Sequence, residues 1–296
     1  MKKLICIISL MLIAATSIMA QQMEFPKLTG PYLGQTPPIG EPILFAPGIV
    51  STNWGNHSSA AISPDGKEIY WEMRRKIFFT KLENGKWSQP EIVSFCTEDS
   101  TSYDEPFITP DGQKLFFTSM SLETAVIKKK ETIWYAERTV SGWKEPQPVS
   151  PEVNAMPLHW SISVSNSGTL YFQGTRDNNQ DIYFSKLVNG VYTKPVNMGP
   201  EINTAGNETC PYIAPDESYI IFTRMGTSPG NSGIFISYRD NLGKWMPAVI
   251  AEGGTIEKGG LSPRISPDGK YLFYVNGGMW WMPAGFIEEL KPKEWK

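Results

Sequence analysis

The chain has two histidines, and both occupy the same position in a unit that recurs along it. His57 and His159 each stand eight residues upstream of the key residue of a tight turn. Tyr103, Glu208 and Gly260 fill that position in the other copies, and Asp104, Glu105, Trp160 and Arg264 lie beside it. Imidazole binds metals and transfers protons near neutral pH. His57 and His159 with Glu208 or Asp104 would make a three-ligand metal set with an open position. A divalent metal ion is the only cofactor the residues suggest. Glu105 and Glu208 could instead act as paired carboxylates on a glycoside, one protonated and one ionised, with His57 and His159 as further catalytic candidates. A binding site would use the same groups. Tyr103 and Trp160 would stack on a sugar ring, and Arg176, Arg224 and Arg264 would hold a uronate or phosphate. Arg74 or Arg75 and Asp177 are expected on the same side. The bland alternative is that polar residues at strand entrances cap backbone groups. The chain has no H-E-x-x-H, no G-x-S-x-G and no phosphate loop.

These residues are positioned by a short stretch written five times. Its clearest copy runs from Ile265 through Ser266-Pro267-Asp268-Gly269 to Tyr274. The others centre near residues 63–66, 109–112, 165–168 and 214–217. Proline presets the first turn dihedral, aspartate bonds the nearby backbone, and glycine takes the left-handed conformation that closes the turn. The apolar and aromatic residues that follow suit a buried strand. The turn aspartates, with Ser167 in the third copy, are 46, 56, 49 and 52 residues apart, a spacing that fits a four-stranded propeller blade. A third strand follows in each copy. A fourth carries an aromatic and a proline (Trp87…Pro90, Trp143…Pro146, Tyr192…Pro195, Trp245…Pro247), so it belongs at the outer edge.

The fifth copy lacks its fourth strand, and an orphan copy of that strand sits at Glu41–Pro47. The sequence therefore predicts an all-β, five-bladed propeller over residues 40–296, closed by an N-terminal strand that completes the last blade. The Ser-Pro-Asp-Gly turns should share one face. The histidine-bearing loops should share the other, with the loops joining second to third strands. The repeat aspartates are then turn formers.

The Ser-Pro-Asp-Gly-Lys core resembles the WD40-like β-propeller repeat (PD40) of TolB-like proteins, and the resemblance spans about residues 40–285. Ser165-Asn166-Ser167-Gly168 departs from it in lacking proline and aspartate, and Ala214-Pro215-Asp216-Glu217 in lacking glycine. The resemblance implies a propeller. It does not single out one function, because such propellers include periplasmic binding and scaffolding proteins, peptidase-associated domains and carbohydrate-active enzymes.

Residues 1–20 read as a secretory signal: Lys2 and Lys3, an apolar run from Leu4 to Ile13, and a small-residue stretch to Ala20. The apolar run is short for a membrane span. The expected location is the periplasm or the exterior. Residues 21–39, rich in proline and glycine, read as an extended lead-in lying on the ring or partly disordered. The net charge of −3 becomes −5 without the two lysines, which argues against nucleic acid. Cys96 and Cys210 are expected as free thiols, since they fall in blades one and four. Ser119–Glu131, with Lys128-Lys129-Lys130, reads as a solvated or docking loop. The leading expectation is an exported, monomeric propeller binding a protein or glycan through the face of His57 and His159. A glycoside hydrolase or metal-assisted polysaccharide lyase at the same mouth is the alternative, and a stand-alone relative of a fused propeller is a third.

Overall fold

The computed structural model describes residues 25–122, 130–157, 160–176, 179–226, 231–251 and 260–293. They form five antiparallel sheets arranged as the blades of a propeller. The innermost strands are Ala61–Ile62, Thr101–Ile108, Ile162–Val164, Asn207–Ile213 and Leu261–Ile265. Each ends in the repeated turn and continues into a second strand of β-branched and aromatic residues. Trp71, Phe116, Phe117, Phe172, Phe222 and Phe273 in these second strands are almost wholly buried between blades. That alternation of apolar faces is what stacks one sheet on the next.

The ring closes as expected. Ile43 and Leu44 pair with Trp281 and Trp280, so the N-terminal strand completes blade five. Phe45 adds an edge-on contact to Trp281, with ring centroids 5.3 Å apart. The described part of the lead-in lies on the ring. Tyr32 packs on Tyr271, Phe273 and Trp281. Gly30 accepts a hydrogen bond from the Trp87 indole N–H at 2.7 Å. Residues 28–33 thus lie across the seam between the last blade and the first. Buried aromatic area, worth roughly 1.5–3 kcal/mol per large side chain, outweighs the proline-rich composition.

The fourth strands lie at the outer edges of the blades. They are not continuous but split into short pieces, such as Lys86–Trp87 and Glu91–Ile92, or Gly142–Trp143 and Gln147–Pro148. Pro90 and Pro146 fall in the gaps, where the missing N–H interrupts the ladder. Cys96 and Cys210 are both free and buried.

Candidate functional site at the propeller mouth

A backbone irregularity brings side chains to the axis. Pairing of the inner and second strands shifts register between Asp104 and Phe107, between Thr209 and Tyr212, and between Leu261 and Arg264. At the same repeat position Glu105, Ser161, Cys210 and Ser262 all have positive φ, between 51° and 54°. These are β-bulges, which bend a strand and re-aim its side chains. The result is a small polar ring around the axis. The Ser161 hydroxyl donates to Glu105 at 3.0 Å, and the Ser59 hydroxyl donates to the Ser262 carbonyl.

Above this ring opens a cavity of about 1150 Å³. Its acidic side comes from blades one and two and includes Glu72, Asp104 and Glu105, with His57 and Arg75 nearby. Its apolar side comes from blades three to five and includes Pro157, Trp160, Met225, Leu261 and Val275. Trp160, Met225 and Leu261 remain 48%, 42% and 40% exposed.

The acidic wall is crowded. His57 Nδ1 lies 3.7 Å from Asp104 Oδ2, an ion pair rather than a hydrogen bond. Asp104 raises the His57 pKa to about 9. Glu72 accepts the Arg75 backbone N–H at 2.6 Å. Burial, then the charge of Asp104, pushes the Glu72 carboxyl up to about 7. Glu105 lies deeper. Burial and then Asp104 raise its pKa well above the ordinary range, against the pull of Arg264 at 3.8 Å.

Several expected site residues are elsewhere. Glu208 is fully buried and accepts hydrogen bonds from Arg224 Nε at 2.8 Å, the Thr204 hydroxyl at 2.6 Å and the Thr204 N–H at 3.0 Å. Arg224 also donates to the Ile202 carbonyl and covers the Phe235 ring at 4.2 Å. The pair fastens blade four internally, so neither residue lines the mouth. Tyr103 is buried against Phe95 and Phe117 and offers no open ring face for a sugar. Arg264 is buried below the ring, where it donates to the Pro106 carbonyl and leaves Nη2 without a hydrogen bond. His57, Asp104, Glu105 and Trp160 do line the mouth. His159, Asp177 and the Lys128-Lys129 pair lie outside the described residues, as does the Arg176 side chain. Glu105 and Glu208 are not brought together as a catalytic pair: one is held by Arg264, the other by Arg224.

Glu72 was not anticipated. A sequence signal existed, because it is the one charge within the otherwise apolar run Ile69-Tyr70-Trp71-Glu72-Met73. Asn56 and Thr118 were also missed; they carry no charge and follow no motif.

The fold is a five-bladed β-propeller. No protein-family model matches the sequence, and no curated protein matches it. Among solved structures, a putative TolB from Agrobacterium tumefaciens is 20% identical, with a TM-score of 0.52 over 73% of this chain and 68% of that one. TolB from Acinetobacter baumannii is 18% identical with a TM-score of 0.48. The match covers 76% of this chain but about half, 51%, of that one. At these identities the likeness is one of fold. No helix among the described residues is long and apolar enough to cross a membrane.

Proposed function

We propose that the protein is an exported propeller that binds a partner protein, taking an extended segment of it into the axial mouth. The observation carrying this reading is the two-sided wall: exposed Trp160, Met225 and Leu261 face the space that Glu72 and Asp104 border. Exposed apolar groups gathered at a rigid concavity mark an interaction surface. The segment that complements them carries a lysine or arginine beside apolar side chains. A carbohydrate-active enzyme is not favoured, since Glu105 and Glu208 are each committed to a buried arginine.

Selection of random peptides on the purified protein tests this reading. Peptides with a basic residue next to apolar ones are expected. Met225→Asp combined with Leu261→Asp should weaken their binding at least on the order of tenfold, the scale of one lost interface anchor. Both sites are exposed, so the fold should be retained. Failure to select any peptide, or equal binding to the double variant, would overturn the proposal. Hits on a glycan panel instead would replace it with the carbohydrate reading.

A further inference from the structure

We infer that His57, Glu72 and Asp104 form a site for a single divalent cation of the first transition row, with Asn56 and Thr118 as additional oxygen donors. One ligand atom from each of the first three lies within 4.8 Å of the other two. Ligands of a six-coordinate ion, each at ~2.1 Å, stand about 3.0 Å apart when adjacent and about 4.2 Å apart when opposite. Closing the three onto an ion therefore takes side-chain adjustment of up to roughly an ångström. Glu72 and Asp104 sit on strands of adjacent blades, each paired within its own sheet, and His57 on the loop that enters blade one.

A second, independent observation points to the same place. Thr118 is wholly buried and its hydroxyl has no hydrogen-bond partner among the described residues. It is the residue directly opposite Asp104 across the sheet, so the two side chains share a face. Asn56 precedes His57, is 7% exposed, and holds its amide through one bond to the Val50 carbonyl while Oδ1 is unpartnered. Both residues line the cavity. Buried polar atoms are nearly always satisfied, and a cation beside the two carboxylates would satisfy both orphans. The other deep carboxylates already have theirs: Arg224 for Glu208 and Arg264 for Glu105. Glu72 and Asp104 have no lysine or arginine ion pair among the described residues; the Glu105 N–H donates to Asp104 at 2.7 Å, and His57 lies 3.7 Å from it.

The donor set selects the ion. One imidazole with oxygens suits Mn²⁺ or Zn²⁺ better than Ca²⁺ or Mg²⁺, which prefer oxygen alone, and offers no thiolate for a soft ion. The inference concerns the isolated protein and holds whether or not a peptide binds.

Mn²⁺ alone is the probe. Titrated into chelator-treated protein, it should lose its free-ion electron paramagnetic resonance signal at one ion per chain, and Zn²⁺ should restore that signal by displacement. Glu72→Gln and Asp104→Asn should each weaken binding by at least about tenfold. Their metal-free melting temperatures should equal or exceed that of the parent, because each removes one of two repelling carboxylates. Asp99→Asn, at an exposed acid away from the cavity, should bind as the parent does. No signal loss at millimolar Mn²⁺, or unchanged binding in both cavity variants, would overturn the assignment. A fall in metal-free stability in both variants would overturn it too, since the carboxylates would then be structural.

Discussion

The two faces of this ring are made from the same repeat, yet they treat polar groups in opposite ways. On the turn face each regular aspartate is spent at home. Asp65 accepts from the Ser63 hydroxyl at 2.7 Å and the Lys67 N–H at 3.0 Å. Asp111 does the same with Thr109 and Gln113, and Asp268 with Ser266 and Lys270. On the mouth face Asn56 Oδ1 and Thr118 Oγ1 have no partner among the described residues, and Glu72 and Asp104 crowd one another. A group that closes a turn has nothing left for a ligand. A group held without a partner on a rigid scaffold retains its full capacity to bind. Abundant acids on a surface are therefore a poor guide to a site, and unpartnered polar atoms beside carboxylates are a better one.

The strongest way to break this comparison is to exchange the fates of two mouth-side glutamates. Glu208→Ala should destabilise the protein by roughly 3–5 kcal/mol, because it leaves the Arg224 guanidinium buried without its counter-charge. Glu72→Gln should cost nothing in metal-free protein. Urea unfolding of the two variants gives both values. If Glu72→Gln proved as costly as Glu208→Ala, the distinction between structural and open carboxylates at this face would collapse.

A smaller effect sharpens the turn-face half. The two copies that depart from the repeat are neighbours, and they repair one another. Blade three has Ser167 where an aspartate belongs. Glu217 of blade four, standing where a glycine belongs at φ +60°, reaches across instead. It accepts from the Ser165 hydroxyl at 2.7 Å and the Ser167 hydroxyl at 2.8 Å, and from Arg239 Nη1 at 2.6 Å. Glu217→Ala should therefore cost about 2 kcal/mol through loss of charged hydrogen bonds. Adding Ser167→Asp to that variant restores the acceptor within its own turn and should recover about half. The same Ser167→Asp in the parent should destabilise, because two carboxylates would compete for Ser165. Additive effects across this double-mutant cycle would show that the repair across blades does not exist.

The repair explains why the fold was legible and the site only partly so. Blade number, ring closure and the facing of the turns follow from local signals: proline, aspartate and glycine at fixed offsets, and apolar runs between them. The mouth depends on contacts between blades, which spacing does not encode. His57, at the repeat position, and Asp104, Glu105 and Trp160 beside it all line the mouth cavity. The repeat position misplaced Glu208 because the cross-strand partner Arg224, sixteen residues on in the chain, is visible only in the register of the sheet. Glu72 lies in a second strand whose apolar neighbours give a core pattern. The bulge that turns Glu105 inward leaves no mark in sequence beyond the proline that follows it in three copies, Pro106, Pro211 and Pro263.

The smallest expected effect is in pH dependence, and there the two faces have opposite signs. At Asp65, Asp268 and Glu217 burial opposes ionisation, but hydrogen bonds from hydroxyl and N–H groups, and Arg239 in the case of Glu217, outweigh it and hold these carboxyls below their ordinary values. Their stabilisation is complete above the unfolded value near pH ~4 and is lost as pH falls through the lower folded values. Glu72 runs the other way. Burial and Asp104 raise it from 4.5 to about 7, so the folded state favours its protonated form and stability falls as pH rises across that interval. His57, raised from 6.5 to about 9 by Asp104, contributes stability that is complete below 6.5 and lost as pH rises through 9. It is 75% exposed, so solvent screening leaves its share slight. In chelator-treated protein, stability should therefore peak near pH ~5 and decline by about 1 kcal/mol toward pH ~8. Glu72→Gln should flatten the decline and leave the acid limb unchanged. Saturating Mn²⁺ should reverse its slope, because the ion binds only the deprotonated ligands. A metal-free curve that is level from pH ~5 to ~8, or a decline that survives Glu72→Gln, would mean that the mouth carboxylates are as well satisfied as those of the turns.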